Sequence, residues 1–381
     1  MTIIDLDIDM KSFSRIIGMS VLSMLLVWGL LSCRKDDGVA VSEYLKLVPD
    51  KTLIEPNGSD AVTFTVEYDG IDVTDEAAVY REDGTAAELT FVSATEGSYG
   101  FYAEYKGERS ATVTIVATSS LPPMPEDPEP DNTAFVRRAL MVLFTSTDCS
   151  MCPFAISALH QLSLSPARNS YVLVECHSVA RNDPAYYGGP LMSVYGSDVT
   201  PYVSADLDNE NLVIVGGNPS IDDGMKNYWR LVNEAASRRP AQAGIAASSV
   251  LNGSNVLVSM SVKAAQTGEY KVAAWLLEDD IYGSQLNSGA TGNIDFNIHN
   301  DCLRYAQYTG SGRDADYTGV SLGTVNAGEE EGYTFSIPVE DGWDVDNCHL
   351  VLIVTAEDGG SFYVNNAAKC EIGGTVAYEY E

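Results

Sequence analysis

The sequence predicts a multidomain, mainly β chain that carries one α/β domain. Three observations predict it. Tyr (21) and Gly (32) are abundant, and short β-branched or alternating runs recur between Asp-Gly and Gly-Gly turns. One stretch, residues 133–240, alternates strand-like and helix-like patterns instead. A Pro-rich acidic segment, SSLPPMPEDPEPDN, interrupts the chain at residues 119–132. At 381 residues the chain has enough length for two or three domains, each with its own core.

Residues 1–32 read as a lipoprotein signal peptide. Lys11 and Arg15 precede an apolar run that ends in Leu30-Leu31-Ser32-Cys33. About 17 mostly apolar residues before Cys33 are at the lower limit for a membrane span, and a basic start with a small residue at the end marks a cleaved export signal. The Leu-Leu-Ser-Cys order resembles a bacterial lipobox, which implies acylation (palmitate) of Cys33 as the membrane anchor. Asp5, Asp7 and Asp9 do not suit a positive n-region, whereas Met10-Lys11 begins a proper one, so Met1 and Met10 are both candidate starts. Residues 33–40 include Arg34-Lys35-Asp36-Asp37-Gly38, which resembles an acidic surface-export tag. The expected location is the outer membrane, lipid-anchored and facing outward.

Residues 41–118 read as a β-sandwich. Val62-Thr63-Phe64-Thr65-Val66 alternates, and Asp69-Gly70, Asp83-Gly84 and Lys106-Gly107 supply turns. Glu96 to Phe101 resembles the tyrosine corner of immunoglobulin-like domains, with Tyr99 as its tyrosine. The linker at 119–132 holds five prolines and is expected to be extended and to separate domains. Between 133 and 240 the order is strand (Ala139 to Phe144), Cys149-Ser150-Met151-Cys152-Pro153, helix (Ile156, Leu159, Leu162) and strand (Tyr171 to Cys176). A hairpin about Asp206 to Glu210 follows, then a helix from about Ser220 to Arg238 with Met225, Trp229 and Val232 inward. Residues 241–381 return to β and predict a C-terminal β-sandwich.

A C-x-x-C beside a βαβ pattern resembles a thioredoxin-like domain, and Tyr195 to Pro201 resembles the segment that ends in its cis-proline. By that resemblance Cys149 is the nucleophile, Cys152 the resolving thiol and Pro201 the cis residue. A helix N-terminus at Cys149 would lower its pKa. Asp148 replaces the Trp of thioredoxins, Leu143 their buried Asp, and Pro153 the Lys after the second Cys. These departures leave two readings for the pair, a working redox site and a structural disulfide ring. His160, His177 and His299 are scattered, and no spacing resembles a zinc site, so neither a metal nor a cofactor is expected. A second disulfide, Cys348–Cys370, is expected from a hairpin symmetric about Gly359, with Cys302–Cys348 as the alternative. Cys176 is expected to be a buried free thiol.

The lipobox, the Phe144-to-Pro153 segment and His299-Asn300-x-x-Leu303-Arg304 together resemble the outer-membrane-protein-twenty-eight family of Bacteroidota lipoproteins over about residues 135–381. The resemblance implies a surface protein, adhesin- or receptor-like. The net charge of −32 and pI near 4.2 repel phosphate backbones, which excludes nucleic acid as a partner. Three functions follow: a surface lipoprotein of binding or accessory type, with another outer-membrane protein or an extracellular ligand as partner; a membrane-tethered thiol–disulfide oxidoreductase; or a subunit of a surface assembly.

Overall fold

The computed structural model describes residues 41–42, 44–196, 200–209, 212–214, 220–310 and 312–381. The signal segment, Cys33 and the acidic tether lie outside the described residues, as do Ser197 to Val199. Among the described residues no helix is long and apolar enough to cross a membrane.

The first sandwich pairs one sheet, built on Leu45–Pro49 and Ala61–Tyr68, with another built on Ala78–Arg81, Gly97–Tyr105 and Val113–Ala117. Alternation in the sequence decides its faces. Val62, Phe64 and Val66 turn inward while Thr63 stays exposed, and Phe64 meets Phe101 with ring centroids 4.8 Å apart. The Tyr99 hydroxyl donates to the Thr95 carbonyl oxygen at 3.0 Å, and Phe101, two residues on, is fully buried. This is the corner that the Glu96-to-Phe101 segment predicts.

The Pro-rich segment is strapped down rather than free-standing. Lys263 is buried, and its ammonium donates to Asp127 Oδ2 at 2.8 Å, to the Pro130 carbonyl and to the Tyr380 hydroxyl at 3.3 Å. Ser248 Oγ donates to the Pro123 carbonyl at 2.6 Å. A buried ammonium without acceptors is costly, so the acidic strap and Lys263 require one another.

The remaining chain supplies strands Ala139–Thr145 (β1), Tyr171–His177 (β2), Tyr202–Ala205 (β3) and Leu212–Ile214 (β4). It continues with Ala243–Asn252 (β5), Asn255–Ala264 (β6), Gly268–Glu278 (β7) and Cys302–Tyr305 (β8). Val320–Val325 (β9), Glu330–Pro338 (β10), Cys348–Asp358 (β11) and Ser361–Glu371 (β12) complete it. Helix Cys152–Ser163 (α1) lies between β1 and β2, and helix Ile221–Arg238 (α2) follows β4.

Among the described residues nine strands share one sheet, ordered β4-β3-β1-β2-β8-β7-β11-β12, with β9 also pairing with β7. The sheet crosses residue 240, where the sequence predicts a domain boundary. β1 and β2 are parallel and β3 runs antiparallel to β1. The two halves meet where Glu175 of β2 pairs with Cys302 of β8. A second sheet, β10-β6-β5 with Thr375–Val376, covers the other half.

All seven residues of β1 are buried, which explains its unbroken apolar run. Ala139, Met141 and Leu143 lie under Leu159, Leu162, Tyr228 and Leu231 of the helices. Leu140, Val142 and Phe144 join Trp275, Leu277 and Val351 from the far half of the sheet. In α2 the inward stripe is Tyr228, Leu231, Val232 and Ala235, and Trp229 is exposed. Met225 and Val232 face the core as predicted, while Tyr228 takes the inward place predicted for Trp229; both fit the helical spacing from Met225.

The Cys348–Cys370 disulfide does not form, and neither does the Cys302–Cys348 alternative; Cys176, Cys302, Cys348 and Cys370 are buried free thiols. The β11–β12 turn holds two residues, Gly359 and Gly360, and the register then shifts between Val354 and Thr355, leaving Asn365 unpaired. Cys370 consequently faces Leu350 rather than Cys348. The two-residue turn alone would set Cys370 opposite His349, and the bulge adds one more residue of offset.

Candidate functional site

β1 delivers the chain to a loop, Ser146 to Met151, that holds the Cys149–Cys152 disulfide. Cys149 is half-buried and Cys152 fully buried. α1 starts at Cys152, not Cys149, with Met151 as its N-cap and Pro153 in its first turn. Proline's fixed φ suits that position, and it sets the helix start three residues after Cys149. The dipole therefore acts most directly at Cys152. Thr200–Pro201 is a cis peptide bond at the entrance to β3.

A strap from beyond β7 covers this loop. The Gln285 side-chain amide donates to the carbonyls of Ser146 (3.2 Å), Thr147 (3.1 Å) and Cys149 (3.0 Å). Leu286 N–H donates to Thr147 O at 2.9 Å and Ser288 N–H to Ser150 O at 2.8 Å. Ser157 Oγ of α1 donates to Thr291 O at 3.1 Å. The C-x-x-C segment is thus hydrogen-bonded by the irregular segment that links β7 to β8. Gln285→Leu should remove the two N–H groups that these carbonyls share and speed reduction of the disulfide by a thiol reagent on the order of tenfold, at roughly 1 kcal/mol per lost donor less what water restores. An unchanged rate in stopped-flow reduction would mean the strap does not restrain the loop.

Directly below the loop lies a buried polar cluster. Thr147 N–H donates to Asp183 Oδ2 at 2.7 Å, and the same oxygen is 2.9 Å from His177 Nδ1. The other ring nitrogen, Nε2, is 3.7 Å from Glu175 Oε2 and 3.9 Å from Cys302 Sγ. His299 meets the His177 ring edge-on at a centroid distance of 5.0 Å, and its Nε2 lies 3.2 Å from the Gly283 carbonyl. Burial pulls His177 down, but hydrogen bonds to Asp183, Cys302 and Glu175 outweigh it and hold the ring well above its usual range. Burial, then the neighbouring His177, lowers His299. Burial pushes the Cys302 thiol up to about 11, so it is a poor nucleophile.

The sequence singled out Cys149, Cys152 and Pro201. The structure joins the first two and gives Pro201 its cis bond, but the cluster of Glu175, His177, Asp183, His299 and Cys302 escaped the sequence reading. Its members come from β2, the loop after it and the start of β8, so no short spacing announces them. Two signals were available: Glu175 and His177 end an otherwise apolar strand, and His299 opens the His-Asn-x-x-Leu-Arg segment.

With this geometry in place, comparison with known proteins gives one family. Residues 220–376 match the family model described as "Outer membrane protein Omp28". Over those residues, fewer than half of its length, the chain is similar to the Omp28 family. The description agrees with the outer-membrane location that the signal segment predicts. The Omp28 region runs from the start of α2 through β12 to Val376, and it supplies Gln285, His299 and Cys302. No curated protein matches the chain significantly. Among solved structures, HBP35 of Porphyromonas gingivalis is similar at 13% identity and a TM-score of 0.46, over 65% of this chain and 78% of that one. A domain of the outer membrane lipoprotein Omp28 from Porphyromonas gingivalis is similar at 18% identity and a TM-score of 0.22, over 35% of this chain and 90% of that one. Neither score is high enough to bear on fold or function.

Proposed function

We propose that this chain is a surface-exposed outer-membrane lipoprotein of binding or accessory type, anchored through Cys33, in which the Cys149–Cys152 disulfide fastens the site rather than turning over. The observation that carries this is the strap: Gln285, Leu286 and Ser288 occupy backbone carbonyls of the C-x-x-C loop. Thiol exchange needs in-line access to a sulfur, and hydrogen bonds across the loop oppose the rearrangement that exchange demands. The lipobox and the Omp28 match support the location, and the charge of −32 favours a soluble, extended presence outside the membrane surface.

The deciding measurement is the reduction potential of the pair. A value below about −300 mV is expected for a fastening disulfide, whereas roughly −270 to −120 mV would establish a working redox couple instead. The oxidoreductase reading has one observation in its favour, the asymmetry between a half-buried Cys149 and a fully buried Cys152.

A further inference from the structure

We propose that Glu175, His177 and His299 form a binding site for a divalent transition-metal ion of the Zn²⁺ class. One ligand atom from each lies within 4.8 Å of the others, and all three residues are buried. Tetrahedral zinc with ligand bonds near 2.0–2.1 Å separates its donors by about 3.3 Å, so closure around an ion requires shifts of only about an ångström.

The surroundings are those of a ligand set rather than of a generic polar core. Asp183 accepts from His177 Nδ1 at 2.9 Å, which leaves Nε2 as the donor atom facing Glu175. Asp183 is itself fixed by the N–H groups of Thr147 (2.7 Å) and Ala185 (3.0 Å). A carboxylate behind a histidine is the usual device for orienting a metal-bound imidazole. His299 has the same support from a backbone group: its Nε2 donates to the Gly283 carbonyl, and Nδ1 is then the atom available to a metal.

Access exists. A groove of about 470 Å³ between α1 and the 294–301 segment is lined by Glu175 and His299, together with Leu159, Ile294 and Ile298. An ion would enter there and leave its open coordination position towards the groove. Nitrogen and oxygen donors in this mixture favour zinc or a neighbouring transition ion over calcium or magnesium, which prefer all-oxygen sets. The ion would also join the two halves of the sheet, because Glu175 and His177 lie on β2 while His299 lies just before β8.

The test uses the full chain, free of any affinity tag, in detergent. After dialysis against a zinc buffer, one Zn²⁺ per chain is expected by elemental analysis, and Co²⁺ in its place should give intense visible bands of a tetrahedral site. Glu175→Gln, His299→Gln and Asp183→Asn should each weaken zinc binding by about 10–100-fold. His349→Asn, in the separate Asp279–Asp301–His349 cluster, should leave binding unchanged. Wild-type chain that retains no zinc and shows no cobalt bands overturns the proposal without any variant having to fold. So does zinc that is lost in His349→Asn and kept in Glu175→Gln and His299→Gln.

Discussion

Asp206→Ala should lower the unfolding free energy by about 3–5 kcal/mol, the usual result of stranding one member of a buried ion pair. Asp206 sits in the β3–β4 turn, where its carboxylate is paired with the Arg137 guanidinium and accepts from Leu140 N–H at 2.9 Å. Both side chains are almost wholly removed from water. Arg137 also donates to the Arg239 carbonyl at 3.1 Å, so the pair ties the start of β1, the turn and the end of α2 together. Removing the acid leaves the guanidinium without its counter-charge and the Leu140 N–H without its side-chain acceptor in a dry site. Urea titration measures the loss, and a change under about 1 kcal/mol would show that water reaches the pair. Adding Arg137→Leu to Asp206→Ala should recover part of the loss, because no lone charge then remains buried.

Trp275→Ala should cost about 3–5 kcal/mol as well, for a different reason: the loss of a large side chain from a site that cannot collapse. Trp275 is fully buried on β7 in the core shared by β1, β2 and β11, with Tyr317 edge-on at 6.2 Å. Its indole N–H has no hydrogen-bond acceptor among the described residues. Trp275→Phe removes that orphan donor together with part of the ring, so the two effects oppose one another and the cost should be about 1 kcal/mol. Equal losses for the Ala and Phe variants in thermal or urea unfolding would contradict this.

Much of the fold was legible because local pattern and final environment agree. β1 is a continuous apolar run and ends buried on both faces; Val62 to Val66 alternates and ends half-buried; Tyr99 marks its corner. What was not legible depends on partners distant in sequence. The face of α2 turned on whether Tyr228 or Trp229 points inward, a choice made by the sheet beneath it. The Cys348–Cys370 pairing failed at the two-residue Gly359-Gly360 turn and again at Asn365, whose side chain accepts from Gln242 N–H (2.8 Å) and Ala243 N–H (3.2 Å) and donates to the Pro240 carbonyl (3.1 Å). Those bonds hold Asn365 out of the ladder, and they come from residues distant in sequence. At the candidate site the C-x-x-C was readable as a motif, while Gln285 and the His177–His299 cluster were not, since both assemble only when the two halves of the sheet meet.

That meeting has a consequence for how the chain can be divided. The Omp28 match begins at residue 220, yet Trp275, Leu277, Val351 and Ile353 are part of one apolar wall, a sheet face continued by Leu140, Val142, Phe144 and Val174 and packed with Tyr187, Leu191 and Tyr195. A fragment cut at the family boundary would present that apolar wall to water, and β8 would become a raw margin with unpaired backbone groups. Such a margin is a template for another strand. The isolated fragment is therefore predisposed to self-association, and inheritance of the C-terminal half without residues 139–177 would require a substitute wall. The segment that carries the family likeness is, physically, only part of the unit that folds.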